Sequence, residues 1–85
     1  MKNKLLDNRN KIDNIDKKIL DLLNERAKCA IEIGKVKQSC SPVYVPSRET
    51  EIINNLIKNN EGPLSKQDIS GIYREIISVC RGMES

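Results

Sequence analysis

From Lys4 to Gln38 the chain runs without a proline or a strong helix breaker, and only Gly34 weakens the run slightly. At ~1.5 Å per residue this stretch makes a helix ~50 Å long. A compact globule of 85 residues has a radius of gyration of only ~12 Å. One such chain cannot cover the helix, so the sequence predicts an obligate homodimer in which long helices pack together.

Periodicity agrees with a helix. Leu5, Ile12, Ile15, Ile19, Leu23, Ala30 and Ile33 fall on one stripe, while Lys11, Asp13, Lys17, Asp21, Lys28, Glu32 and Lys35 fall opposite. After a loop, Ser39-Cys40-Ser41-Pro42-Val43-Tyr44-Val45, a second helix is expected with Pro46 in its first turn. It carries Ile52, Ile53, Leu56 and Ile57 and stops at Asn59-Asn60-Glu61-Gly62-Pro63. Ser65 with Asp68 reads as a capping box opening a third helix. The inner face of that helix is Ile69, Ile72, Tyr73, Ile76, Ile77, Cys80 and Met83. The expected fold is all-α: one very long helix and two shorter ones, forming a single domain over residues 1–85.

Composition narrows the chemistry. There is no His, which removes the usual general base and the commonest metal ligand. Cys29, Cys40 and Cys80 are odd in number and lack a CxxC, so neither zinc nor a disulfide framework is expected, and a reducing cytoplasm is the easiest home. The net charge of +3 is interspersed and the only aromatics are two Tyr, a poor basis for binding nucleic acid. Met1-Lys2-Asn3-Lys4-Leu5-Leu6-Asp7 lacks the apolar run of a signal peptide, and no stretch is suited to spanning a membrane.

Some charges do not follow the pattern. Arg26 and Lys37, eleven residues apart, point within about 20° of one another in the middle of the apolar stripe. Glu49 lies between Ile52 and Ile53 on the apolar side of the second helix, with Arg48 at its edge. Glu84 projects beside Tyr73, Ile77 and Cys80 on the third. Each has an ordinary explanation by itself: an Arg26–Glu49 bridge, Lys37 on helix-end carbonyls, an exposed first turn at Arg48-Glu49, a frayed terminus at Glu84. Their agreement points to a functional site, because a buried cation needs an anionic partner from the protein or from a ligand. Arg9 lies ~25 Å of helix axis from Arg26, so it can reach the same small molecule only from the other subunit of an antiparallel dimer.

The order and spacing of these residues resemble the all-helical chorismate mutase family over nearly the whole chain. The carrying motifs on the first helix are Leu5-Leu6 with Arg9, Ile12-Asp13, Ile15-Asp16, Leu22-Leu23-Asn24-Glu25-Arg26 and Ile33-Gly34-Lys35-Val36-Lys37. Beyond it come Pro42-Val43-Tyr44, Pro46-Ser47-Arg48-Glu49 and Arg74-Glu75-Ile76-Ile77. The resemblance implies three helices in an intertwined homodimer with two sites, each borrowing an arginine from its neighbour. It also implies conversion of the dianion chorismate to prephenate, toward phenylalanine and tyrosine, with no cofactor or metal. By position, Arg26 and the partner subunit's Arg9 look like carboxylate clamps, helped by Arg48. Lys37 looks like the donor to the ether oxygen, and Glu49 like the acceptor for the ring hydroxyl. Glu84 falls where many relatives have Gln, facing the same ether oxygen, and a carboxyl group can donate there only when protonated.

Two positions depart from the family's pattern. Val45 stands where relatives often carry Asp near the ring hydroxyl, and Cys80 where some carry Ser on a carboxylate. An isochorismate pyruvate-lyase shares the fold and much of the cationic pocket. A non-catalytic helical dimer regulating a shikimate-pathway enzyme would keep the stripes, but gives no reason for inward-facing Lys37 and Glu84.

Overall fold

A computed structural model describes residues 3–37 and 45–84, with Lys37 described by its backbone alone. These residues form three helices and no strand: α1 (Asn3–Lys37), α2 (Pro46–Asn59) and α3 (Lys66–Glu84). The expected end of α1 at Gln38, Cys40 and the loop up to Tyr44 lie outside the described residues.

The helix boundaries follow local chemistry. Val45 is extended and Pro46 opens α2, where its missing N–H costs nothing. The α2 helix closes with Asn60 N–H on the Ile57 carbonyl at 3.2 Å. The chain then turns at Gly62, whose φ of 86° belongs to the left-handed region that glycine enters freely. Ser65 and Asp68 form the expected capping box. Asp68 N–H donates to Ser65 Oγ and Ser65 N–H to the Asp68 carboxylate, both at 3.0 Å. The bond from the Ser65 backbone N–H is the main reason that the Asp68 carboxyl is held below the usual range.

The α3 helix packs on α1 and on α2. The buried core of the described residues is small: Ala30 from α1, with Ile69, Ile77 and Cys80 from α3. Ile52, Ile53, Leu56 and Ile57 of α2 are half-buried. Two members of the expected inner face of α3 are not covered by this chain, Ile72 at 49% and Met83 at 44% exposure.

The larger departure is along α1. Every residue from 3 to 22 is exposed, including Leu5, Leu6, Ile12, Ile15 and Ile19. The apolar stripe meets the core only from Leu23 onward, because α2 packs on α3 and not on α1, and the 19-residue α3, whose last turn lies at Gly34, leaves the far end of α1 uncovered. The described residues extend 59 × 24 × 16 Å with a radius of gyration of 16.3 Å, well above the ~12 Å of a compact globule.

Candidate active site

The C-terminal third of α1, the start of α2 and the end of α3 converge on a cavity of about 510 Å³, a size typical of small-molecule sites. Each element lends one face at the spacing i, i+3, i+4, i+7. The lining positions are 26, 29, 30 and 33 on α1; 45, 48, 49 and 52 at α2; and 77, 80, 81 and 84 on α3. That spacing is the single stripe a helix presents to a neighbour. Position 37, four residues beyond 33, continues the α1 face in register. Lys37's side chain lies outside the described residues.

Three guanidinium groups and two carboxyl groups share this wall. Arg26 is half-buried, and among the described residues it has no hydrogen-bonded or ionic partner. Arg48 pairs with Glu51 one turn on, both side chains being largely exposed. Such an i, i+3 pair is worth only ~0.3–0.5 kcal/mol, so a ligand carboxylate can displace Glu51. The first turn of α2 sets Arg48 and Glu49 side by side, because both N–H groups donate to the Val45 carbonyl, at 3.1 and 3.2 Å. An acid there also gains from the positive end of the helix dipole.

Glu49 is gripped by Arg81. Nε donates to Oε2 and Nη2 to Oε1, each at 3.0 Å, between residues 32 positions apart. With Glu49 neutralised, Arg26 and Arg48 share the wall with Glu84, whose Oε1 is shut off from solvent. The last turn of α3, which carries Glu84, lies directly on Gly34. A Cβ there would collide with the Glu84 carbonyl oxygen and come within 2.9 Å of its Cα. Among the described residues, no group of three His, Cys, Asp or Glu is placed to hold a metal ion, and no helix is long and apolar enough to cross a membrane.

The family model for chorismate mutase type II matches residues 8–85. The chain belongs to that family. It is 44% identical over 81 residues to the bifunctional chorismate mutase/prephenate dehydratase of Aquifex aeolicus, covering 89% of this chain and 22% of that protein. The corresponding protein of Stutzerimonas stutzeri is 38% identical over 80 residues, covering 87% of this chain and 22% of its own length. The chain therefore spans about a fifth of the curated chorismate mutase relatives it matches. Among solved structures, the chorismate mutase of Thermus thermophilus superposes with a TM-score of 0.92 at 30% identity, over 95% of this chain and 93% of that one. The Helicobacter pylori chorismate mutase, in complex with prephenate, superposes at 0.87 with 35% identity, over 95% and 90%.

Six residues singled out in the sequence meet in the cavity: Arg26, Val45, Arg48, Glu49, Cys80 and Glu84. Arg9 is absent from its wall, as its distance along α1 requires. Two expectations need correction. Glu49 does not bridge to Arg26, because the last turn of α3 brings Arg81 to it first. Tyr73 does not line the cavity with Glu84; eleven residues earlier on α3, it lies ~16 Å away along the axis. Arg81 and Cys29 were missed. The signal for both was present, since Arg81 follows Ile77 by four and Cys29 follows Arg26 by three.

Proposed function

We propose that this chain rearranges chorismate to prephenate, with two copies of the chain forming the working unit. The observation that carries the reading is Arg26, a half-buried guanidinium on the cavity wall with no partner among the described residues. A cation so placed calls for an anion, and Arg48, leashed only weakly to Glu51, supplies a second fork. Guanidinium groups grip carboxylates bidentately, and chorismate is a dianion. The Helicobacter pylori relative holds prephenate, the product, on the same fold.

The reaction is unimolecular and pericyclic. It requires no nucleophile or base, so a chain without His suits it. The protein's part is to hold the compact reactive conformer and to aim donors at the ether oxygen, where charge grows as its bond to carbon lengthens. Lys37, in register at the end of α1, is assigned that donor role. Glu49 takes the ring hydroxyl, because that hydroxyl is the only hydrogen-bond donor a chorismate dianion offers to an acceptor-only carboxylate. Incubating the protein with chorismate tests the reading: ultraviolet absorption of the substrate falls as prephenate accumulates. Release of pyruvate from isochorismate, without consumption of chorismate, would make the chain a lyase instead.

The second copy covers the exposed first half of α1. Leu5, Ile12, Ile15 and Ile19, exposed between 47 and 61%, form a continuous apolar ridge that a lone chain leaves in water. Antiparallel packing of two α1 helices covers both ridges and carries the partner subunit's Arg9 to the Arg26 cavity. Mixing an Arg9→Ala protein with an Arg26→Ala protein, each inactive alone, then restores activity. Random exchange leaves about a quarter of all sites intact. No recovery after exchange would assign Arg9 to its own chain or to no site.

Glu84→Gln tests the place given to Glu84 at the ether oxygen. A carboxylate has nothing to donate there, whereas an amide of the same shape does. The variant is therefore expected to keep or raise kcat for chorismate. A loss of tenfold or more would remove Glu84 from the ether-oxygen subsite.

A further inference from the structure

We propose that Arg81 is the positioning residue of the hydroxyl subsite: it holds the Glu49 carboxylate at the angle at which Glu49 receives the substrate's ring hydroxyl. The inference rests on the mutase reading and on the role given there to Glu49. The geometry supplies the rest. Arg81 bonds both carboxylate oxygens of Glu49 with two parallel N–H···O contacts of 3.0 Å. This side-on fork fixes the carboxylate plane as well as its position. Each carboxylate oxygen has a second acceptor direction, so the grip leaves Glu49 able to accept from a ligand in the cavity that both residues line.

Two further features make the arrangement consequential. Val45, also on the wall, has no polar side-chain atom, so Glu49 has no second side chain there to share the hydroxyl. The fork also joins the first turn of α2 to the last turn of α3. It therefore sets Glu49 relative to Glu84, three residues beyond Arg81 on the same helix. Arg81 is thus asked to act through Glu49 and not to hold a substrate carboxylate itself.

The two roles differ in what they discriminate. The test compares kcat and KM for chorismate and for an analogue with hydrogen in place of the ring hydroxyl, both carboxylates being retained. It uses the parent protein, Arg81→Met, Arg81→Lys, Glu49→Gln and the Arg81→Met/Glu49→Gln double variant. Loss of a hydrogen bond to a charged group costs about tenfold or more. Arg81→Met is therefore expected to lower kcat/KM for chorismate about tenfold and to leave the analogue within about twofold, with no further loss when Glu49→Gln is already present. Arg81→Lys keeps the charge without the fork and shows the same selectivity at smaller amplitude, so it carries the comparison if Arg81→Met folds poorly. Equal losses on both substrates, losses that add to those of Glu49→Gln, or no loss on either would each overturn the proposal. An inactive parent protein would instead overturn the mutase reading itself, and the inference with it.

Discussion

Lys37→Ala lowers kcat for chorismate rearrangement about 10²- to 10³-fold and changes KM little. The size follows from the proposed role: one donor aimed at an oxygen that gains charge only in the transition state is worth about 2.7–4 kcal/mol of barrier. The ground-state ether oxygen is a weak acceptor, so the same contact adds little to binding. The arginines should behave in the opposite way, because they grip carboxylates whose charge is equal before and during the reaction. Steady-state kinetics of Lys37→Ala beside Arg26→Ala makes the contrast visible. If Lys37→Ala raised KM and spared kcat, Lys37 would be one more carboxylate clamp and the donor would have to be found elsewhere.

Gly34→Ala should cost about as much as many losses of a contacting residue, although glycine touches no ligand. Its Cβ would meet backbone atoms of Glu84, the carbonyl oxygen and Cα, and backbone cannot swing aside as the end of a side chain can. The last turn of α3 must move away from α1, carrying Glu84 and, three residues earlier, Arg81. Displacements near 1 Å in such a site cost about 10²-fold in rate. The α1 helix itself gains, since Ala is favoured over Gly by ~1 kcal/mol in a helix interior. Far-ultraviolet circular dichroism should therefore show undiminished helix while activity falls. Gly71→Ala is the control, because nothing lies within 4 Å of the Cβ it introduces. Equal activity in the two variants would mean that the α3 terminus accommodates the methyl group and that its position is not critical.

Gly34 illustrates what a linear reading misses. In the sequence it is a mild weakness in a long helix, and its reason becomes visible only when α3 lies across it. Arg81 is a similar case. Basic residues are favoured in the last turn of any helix by the dipole, and that local explanation hides its grip on Glu49. Arg26 was legible because a charge in the middle of an apolar stripe contradicts its own helix. The cavity-lining set was half legible for the same reason: Glu49 and Glu84 break a pattern, whereas Val45, Cys80 and Cys29 break none. Family resemblance alone points to Val45 and Cys80, and only the spacing from Arg26 points to Cys29.

The amino-acid sequence alone determined where α2 and α3 begin, that α1 runs unbroken through its described length and which side of it is apolar. Those properties depend on neighbours within a turn or two: proline at the first position of α2, the reciprocal Ser65–Asp68 bonds, and 3.6-residue periodicity. Only the tertiary structure decided which charge faces which. Whether Glu49 meets Arg26 or Arg81 depends on how α2 and α3 dock, and thus on contacts between residues 32 positions apart, a separation that no local pattern encodes.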